Sequence, residues 1–338
     1  MPSVKPLLAA IAVCALLGAS APAAKAEPVK LRIAWIVPAG DAPLALFHQP
    51  GIAQHEGKSY TLDFIHMTST PSMITALSSG AIDLVPFAYS TFALSVENAR
   101  LDDLRILADV FQDGVDDHYT TQFLVLKDSP IKTIADLKGK VLTSNAAGSA
   151  VDIAMRAMMK KHGMVAGRDY TTIESFFPNM KAELLSHKVD LITGVQPFSE
   201  DPELKAASRT LFTQKEAIGV SQMIVLSARG AFIKQNRAAL VDFLEDNLRE
   251  LHWYEDPAHH AQAIKIVADF TKTPESLWSG WLFTAKELYH VPNGMPDLNA
   301  LQRNIATAHE LGFVKSALDP HKYADLSLVE EAAKRLGK

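Results

Sequence analysis

The chain has 338 residues, 48% of them hydrophobic and 21% charged, with a mean hydropathy of +0.05. That is too apolar for a disordered chain and long enough for two domains. Lys and Arg number 33 against 38 Asp and Glu, a formal charge of −5, and no Lys/Arg-rich run occurs, so the footprint of nucleic-acid binding is missing. The 17 Gly and 18 Pro are dispersed along the chain, which excludes collagenous and low-complexity readings.

The N-terminus reads as a leader. Lys5 precedes an unbroken run of apolar and small residues, Leu7–Ala19, and a small-residue stretch then ends in Ala24-Lys25-Ala26. This is the order of a secretory signal: charged region, apolar core, cleavage site. The run is shorter than the ~18–20 apolar residues that a bilayer span needs. Cleavage after Ala26 leaves 312 residues, removes the single cysteine, Cys14, and takes the formal charge to −7. A lipoprotein is the alternative for Cys14, but the residue before it is Val13 and it sits deep in the apolar core. The mature chain is expected to be exported to the periplasm, an oxidising compartment that suits a chain without thiols.

Strand-like runs then alternate with helix starts. Val29–Val37, Tyr60–Met67, Ile82–Phe87, Leu104–Phe111, Thr120–Leu126, Val141–Ser144, Thr171–Phe176, Val189–Val195 and Met223–Ser227 read as strands. Thr70-Pro71 places a capping hydroxyl before a first-turn proline. Thr133/Asp136 and Ser149/Asp152 have the form of capping boxes. Between Ser149 and His162, Val151, Met155, Met158, Met159 and His162 form one helical stripe, which reads as core. After Ser227 the pattern is helix upon helix: Asn236–Tyr254 buries Leu240, Leu244, Leu248 and Leu251, and Asp256-Pro257 and Thr273-Pro274 start two more. Such alternation implies an α/β fold of largely parallel sheets between helices.

One internal repeat stands out. Pro71, Met73, Leu77, Ser79, Asp83 and Leu84 recur as Pro178, Met180, Leu184, Ser186, Asp190 and Leu191, always 107 residues on. Each copy follows a strand, opens a helix and closes on a strand beginning at the Asp. Two such α/β units facing each other would form a cleft at the carboxyl ends of their strands, where ligands bind in open α/β sheets.

Catalytic motifs are few. Gly57-Lys58-Ser59 ends like a phosphate-binding loop, but the preceding Gly51 is one residue too far upstream and a strand follows. His252, His259 and His260 are spaced by 7 and 1 with Pro257 between, which does not set three imidazoles on one helical face, so surface histidines are favoured over zinc. Asp116-Asp117-His118 reads as a solvated loop. No metal or other cofactor is expected.

Ile131–Gly139 (IKTIADLKG), Lys140–Ser149 (KVLTSNAAGS), Met73–Asp83 with Gly80-Ala81-Ile82-Asp83, and its counterpart Met180–Asp190 together resemble periplasmic solute-binding proteins of ABC transporters of the nitrate/taurine/sulfonate type. The resemblance runs from about Leu31 to Pro274. It implies a two-lobed, periplasmic-binding-protein-like fold of type II, each lobe a mixed, mostly parallel sheet flanked by helices, with a helical C-terminal segment. The lobes are expected at 27–118 with 223–338, and at 119–222. The resemblance further implies a monomer that closes on a small-molecule ligand and delivers it to an ABC permease with a cytoplasmic ATPase. Phe87–Thr91 (FAYST) departs from the glycine-containing loop of sulfonate binders.

Carried over by position, the candidate ligand contacts are Asp41 after the first strand, Tyr89 and Ser90 after the third, and Asn145, Ser149 and Ala150 at a helix start. Gln196 and Phe198 follow a later strand, and His118 and Tyr119 lie near the crossover. Asp41 is alternatively a helix cap. The reading is a small, anionic organic ligand, a sulfonate or a carboxylate, held by helix N-termini. The rivals are an enzyme on the same scaffold, such as a pyrimidine-precursor synthase or a menaquinone-pathway lyase, and a ligand-sensing module. The synthase calls for a cysteine-rich motif, which the mature chain cannot supply.

Overall fold

The strand-like runs pair into two sheets of one design. The computed structural model describes residues 27–36, 43–47 and 49–337; the leader and Asp41 lie outside them. The first sheet holds β1 (Val29–Trp35), β2 (Tyr60–His66), β3 (Leu84–Ala88), β4 (Leu104–Asp113) and β10 (Ser221–Arg229), in the order β2-β1-β3-β10-β4. The second is built from β5 (Gln122–Leu126), β6 (Val141–Ser144), β7 (Thr171–Glu174), β8 (Ile192–Gly194) and β9 (Ser208–Thr213). Its two parts, β6-β7 and β8-β5-β9, meet in a parallel bridge between Leu142 and Leu191.

Each sheet has one antiparallel strand, and it is the strand that follows a crossing. β10 runs antiparallel to β3 and β4, and β5 runs antiparallel to β8 and β9. The chain crosses between the sheets after Asp113 and returns after Thr213. The remaining neighbours, β1 with β2 and β3, and β6 with β7, are parallel, as helical crossovers require. The sheets are therefore mixed and mostly parallel, with helices on their faces.

The repeat is physical. Helices Thr70–Ser78 and Phe177–Leu185 begin and end 107 residues apart, and Met73, Leu77, Met180 and Leu184 are all buried. Both helices end through a left-handed residue, Gly80 (φ 71°) and His187 (φ 57°). The next strand then begins by stitching itself to its neighbour. The Asp83 carboxylate accepts from the Arg32 N–H of β1 at 3.1 Å, and Asp190 from the Val141 N–H of β6 at 2.9 Å. Asp83 also holds the Arg32 guanidinium at 2.6 Å, while Lys140 approaches Asp190 at 3.4 Å. An Asp recurs there because a carboxylate can satisfy a backbone donor that the ladder leaves unpaired.

Several local expectations are corrected. Thr133 and Asp136 do form a capping box, but they open a 3-10 turn, Ile134–Leu137. Thr273-Pro274 likewise leads only to a 3-10 turn, Glu275–Leu277, because the Thr273 hydroxyl accepts from the buried Trp278 indole at 2.7 Å. Ser69, not Thr70, is the cap of its helix, and Thr70 spends its hydroxyl on Thr91 at 2.7 Å. The long helix starts at Gly230, six residues before the Leu stripe suggests, and is broken by non-helical angles at Asn236. Ser208–Thr213, absent from the expected strands, is the edge strand β9.

Beyond β10 the chain is helical: Gly230–Glu255, His260–Thr271, Leu298–Glu310 and Ser327–Arg335. The expected stripe Leu240, Leu244, Leu248 and Leu251 is buried, packed in one core with the first sheet and Trp278. Among the described residues no helix is long and apolar enough to cross a membrane.

Candidate functional site

Where the two sheets face each other lies a cleft of about 690 Å³, its open mouth included. That is within the ~300–1,000 Å³ of small-molecule sites. The first sheet contributes Pro86 and Ala88 of β3, Phe111 of β4, and Met223 and Ile224 of β10. Thr121, Asn145, Ser149, Ala150, Val151, Phe177, Val195 and Gln196 close it from the second. Ile36, Thr70, Tyr119 and Leu288 complete the described wall. None of these residues carries a formal charge, so polarity comes from amides, hydroxyls and backbone.

The polar groups are concentrated on one side. Helix Ala150–Lys161 begins here with Ser149 as its cap, whose hydroxyl accepts from the Asp152 N–H at 3.3 Å. The Asp152 carboxylate reaches back to the Gly148 N–H at 2.9 Å and pairs with Arg156 at 2.9 Å. The Ala150 and Val151 N–H groups belong to the first turn, which has no intrahelical acceptors for them. Together they make a weakly electropositive terminus facing the cleft.

Five of the ten sequence candidates stand in this wall: Tyr119, Asn145, Ser149, Ala150 and Gln196. Phe198 stands behind it, stacked on Phe177 with ring centres 6.5 Å apart. His118 turns to the Glu287 carbonyl at 3.3 Å and packs against Tyr289. Asp41 is outside the described residues. Thr70, Phe177, Ala88 and Val195 were missed, although the repeat pairs Thr70 with Phe177 and Ala88 with Val195 at the same 107-residue spacing.

Tyr89 and Ser90 are fully buried and do a different job. The Tyr89 hydroxyl donates to the Ala150 carbonyl at 2.8 Å, and Ser90 donates to the Gly148 carbonyl at 2.6 Å. Both bonds tie a helix of the first sheet to the helix start of the second. Burial pushes the Tyr89 phenol well above its ordinary pKa, so it remains a donor. This is a protein-only latch beside the cleft. Tyr89→Phe should lose one net hydrogen bond and lower stability by ~1 kcal/mol. Urea denaturation of the variant checks this, and unchanged stability would show that the bond contributes nothing net.

The first crossing is braced by a buried carboxylate. Asp113, at the end of β4, accepts from the Thr121 N–H at 2.8 Å and from the Thr120 and Thr121 hydroxyls at 2.7 Å. Burial raises its pKa, against the pull of those bonds. Tyr119, between the sheets, donates to the Gly194 carbonyl at 2.7 Å, and burial raises its phenol as well.

Metal-binding geometry is thin. His55, Asp242 and Glu245 bring ligand atoms within 4.8 Å of one another, but Asp242 is held by Arg335 at 2.8 Å and Glu245 by Arg249 at 2.5 Å. Those guanidiniums already neutralise the charge that a cation would need. His252, His259 and His260 do not converge: each ring meets a separate carbonyl, of Pro292, Trp253 and Leu282.

A model of the NMT1-like family matches residues 24–268. The chain belongs to the NMT1-like family. Solved structures resemble this NMT1-like chain across most of its length. The alkanesulfonate-binding protein SsuA from Xanthomonas axonopodis pv. citri, bound to MOPS, matches at 17% identity and a TM-score of 0.69, over 89% of this chain and 99% of that one. The periplasmic nitrate-binding protein NrtA from Synechocystis PCC 6803 matches at 16% and 0.72, over 92% and 89%. The desulfurization enzyme DSZB matches at 13% and 0.64, over 91% and 99%. At these identities the likeness is one of fold, the periplasmic-binding-protein-like arrangement of mixed sheets flanked by helices. The same fold thus serves binding proteins and at least one enzyme.

Proposed function

We propose that the chain is the solute-binding component of an ABC importer, capturing a small organic molecule between its two sheets by closure and not by turnover. The carrying observation is the wall itself: a largely apolar cleft with a few fixed dipoles and no charged side chain among its described residues. A hydrolase or lyase needs a base or nucleophile at the reacting atoms. The described wall offers only hydroxyls for that work, and Tyr119 and Thr121 are committed to Gly194 and Asp113. The names of SsuA and NrtA support the same reading. The lobes are taken as 27–118 with 223–338, and 119–222, moving about the two crossings. Export, with cleavage after Ala26, would place the mature chain in the periplasm as a monomer serving a permease and its ATPase.

Within this reading the ligand sets an acceptor or anionic group, such as a carboxylate or sulfonate, against Ser149, Ala150 and Val151. A helix terminus can hold such a group without an arginine partner. A thermal-shift screen over sulfonates, carboxylates, nitrate and nitrogen heterocycles tests the function, since a ligand at 100 times its Kd stabilises by ~2.7 kcal/mol. A chain that no solute stabilises is not a solute-binding protein. For the best solute, Ser149→Ala should lower affinity more than tenfold, the worth of a hydrogen bond to a charged group. The lost cap should cost only ~0.5–1 kcal/mol of stability. Calorimetry on the folded variant separates the two, and an unaltered Kd would leave Ser149 as a cap alone.

A further inference from the structure

The chain itself joins the two sheets twice, after Asp113 and after Thr213. Beside these crossings a further connection is made by hydrogen bonds alone. Residues 286–290 lie beyond β10 and are anchored on the first sheet. The Tyr289 N–H donates to the Gln112 carbonyl of β4 at 3.2 Å, and the Gln112 N–H donates back at 2.8 Å. The His290 ring meets the Val110 carbonyl at 2.7 Å, and the Val291 N–H donates to Asp109 at 3.1 Å. Between these anchors and the cleft, Leu288 is buried and lines the wall.

The segment is also stiff. The buried Glu287 carboxylate accepts from the Phe283 N–H on one side and meets the His290 ring at 3.1 Å on the other. Phe283 takes a left-handed backbone, φ 57°, and stacks on Tyr254 of the long helix with ring centres 4.3 Å apart. A bulky residue keeps such angles only where its surroundings enforce them. From this fixed base two carbonyls reach toward the second sheet. That of Lys286 accepts from the Gln196 amide at 2.9 Å, and that of Glu287 from the Tyr119 N–H at 2.9 Å. Tyr119 passes the tie on, since its hydroxyl donates to the Gly194 carbonyl at 2.7 Å. Both routes therefore land on 194–196, the end of β8 and the two residues after it.

We infer that residues 286–290 are a brace across the crossings: fixed on the first lobe, they hold the end of β8 through Gln196 and Tyr119 and so limit how far the lobes part, with or without a solute. Hinge motion is absorbed by a few residues at the ends of elements. A bonded segment beside them adds a cost to opening that two bare crossings do not have. Gln196 and Tyr119 are then positioning residues for the lobes, besides standing in the cleft wall. The inference rests on the two-lobed part of the proposed function, in which the sheets move as bodies, but its readout needs no solute.

The test uses the mature chain, which has no cysteine once Cys14 leaves with the leader. Thr75→Cys and Ala182→Cys then put one spin label on each lobe, at exposed and repeat-related positions of the helices Thr70–Ser78 and Phe177–Leu185. Pulsed electron resonance measures the distance between the labels without any solute. The chain with its brace intact should give one dominant distance. Gln196→Met combined with Tyr119→Phe removes both side-chain bonds that tie 194–196 to the brace. A longer distance should then appear, or grow at least about fivefold against the short one, the worth of one net hydrogen bond. Residues that only pack would lower the melting temperature and leave the distances alone, and that result overturns the brace. So does a distribution in the unsubstituted chain as broad as the variant's. Where circular dichroism shows the double variant unfolded, hydrogen exchange on the wild type decides. The Tyr119 N–H should exchange at least ~100-fold more slowly than an exposed amide, and exchange at the exposed rate overturns the brace. A thermal-shift screen in which no solute binds would end the solute-binding reading and leave these distances untouched.

Discussion

Asp246→Ala should lower the stability of the chain by about 3–5 kcal/mol, the cost of opening a buried charge network from one side. Asp246 is fully buried on the long helix Gly230–Glu255 and ties Arg249 of that helix to His55 and Tyr60, before and on β2. It accepts from the His55 N–H at 2.8 Å, from the Tyr60 hydroxyl at 2.7 Å, and from Arg249. The His55 ring nitrogen lies 3.0 Å from its other oxygen. Removal orphans the Tyr60 phenol, which burial and this same carboxylate push to a raised pKa and hold protonated. Arg249 would keep Glu245 and the Ile52 carbonyl, so the loss stops short of a bare buried cation. Asp246→Asn retains one acceptor and should lose about half as much. Urea denaturation measures both, and a loss under 1 kcal/mol for the alanine would mean that the network adds nothing beyond packing.

The second large effect is on pH dependence. Burial raises the Asp109 carboxyl to about 6, although bonds from Gln222 at 2.6 Å and the Val291 N–H at 3.1 Å, and the nearby His290, pull it back. A carboxyl whose folded pKa exceeds its unfolded one binds its proton more tightly when folded. Its contribution is then fully present below the unfolded value of 3.8 and is lost as the pH rises through about 6. A shift of about two units corresponds to ~3 kcal/mol between pH 4 and 7. Asp109→Asn should remove that slope, whatever constant offset the new amide introduces. Burial lowers the His290 pKa, but Glu287 at 3.1 Å outweighs it, so the ring's net shift is upward. Its share of the slope has the same sign and lies above pH 6.5, where it should survive in Asp109→Asn. Stability measured from pH 4 to 8 in both proteins checks this; parallel curves would show that Asp109 stays ionised throughout.

Both carboxylates escape a sequence reading because their partners are remote: Asp109 meets Gln222, and Asp246 meets His55 and Tyr60. The repeat was legible because its signal is local. Helix start, buried Met and Leu, left-handed exit and strand-opening Asp all fall within fourteen residues of Thr70 or Phe177. Carrying the 107-residue offset further would have added Thr70 and Phe177, Ala88 and Val195 to the candidate wall. It would also have paired Tyr89 with Gln196, whose roles differ: Tyr89 bonds across to Ala150, whereas Gln196 turns its amide to Lys286. Ser149 was legible from its own capping pattern. β9 was not, since its polar SRTLFT run has one fully buried apolar position, Phe212, and its remaining stability comes from pairing with β5. Proline after a threonine predicted helices at 70 and 273. The first forms, with Ser69 as its cap because Thr91 takes the Thr70 hydroxyl. The second stops at a 3-10 turn, whose nearby Trp278 indole takes the Thr273 hydroxyl.

The bonds from Tyr89 and Ser90 to the Ala150 and Gly148 carbonyls involve protein atoms alone, so if the chain closes on a solute as proposed, part of the closing free energy would not depend on cargo. For a carrier whose permease recognises the shut form, this sets a balance between grip and honesty. Every increment added to the latch tightens capture, because less of the ligand's binding energy goes into moving the lobes. The same increment raises the share of empty carriers that look loaded and compete for the same docking site. Under the proposed function, two hydrogen bonds of ~1 kcal/mol each would be a modest setting, one that would leave the decision to close mainly with the solute.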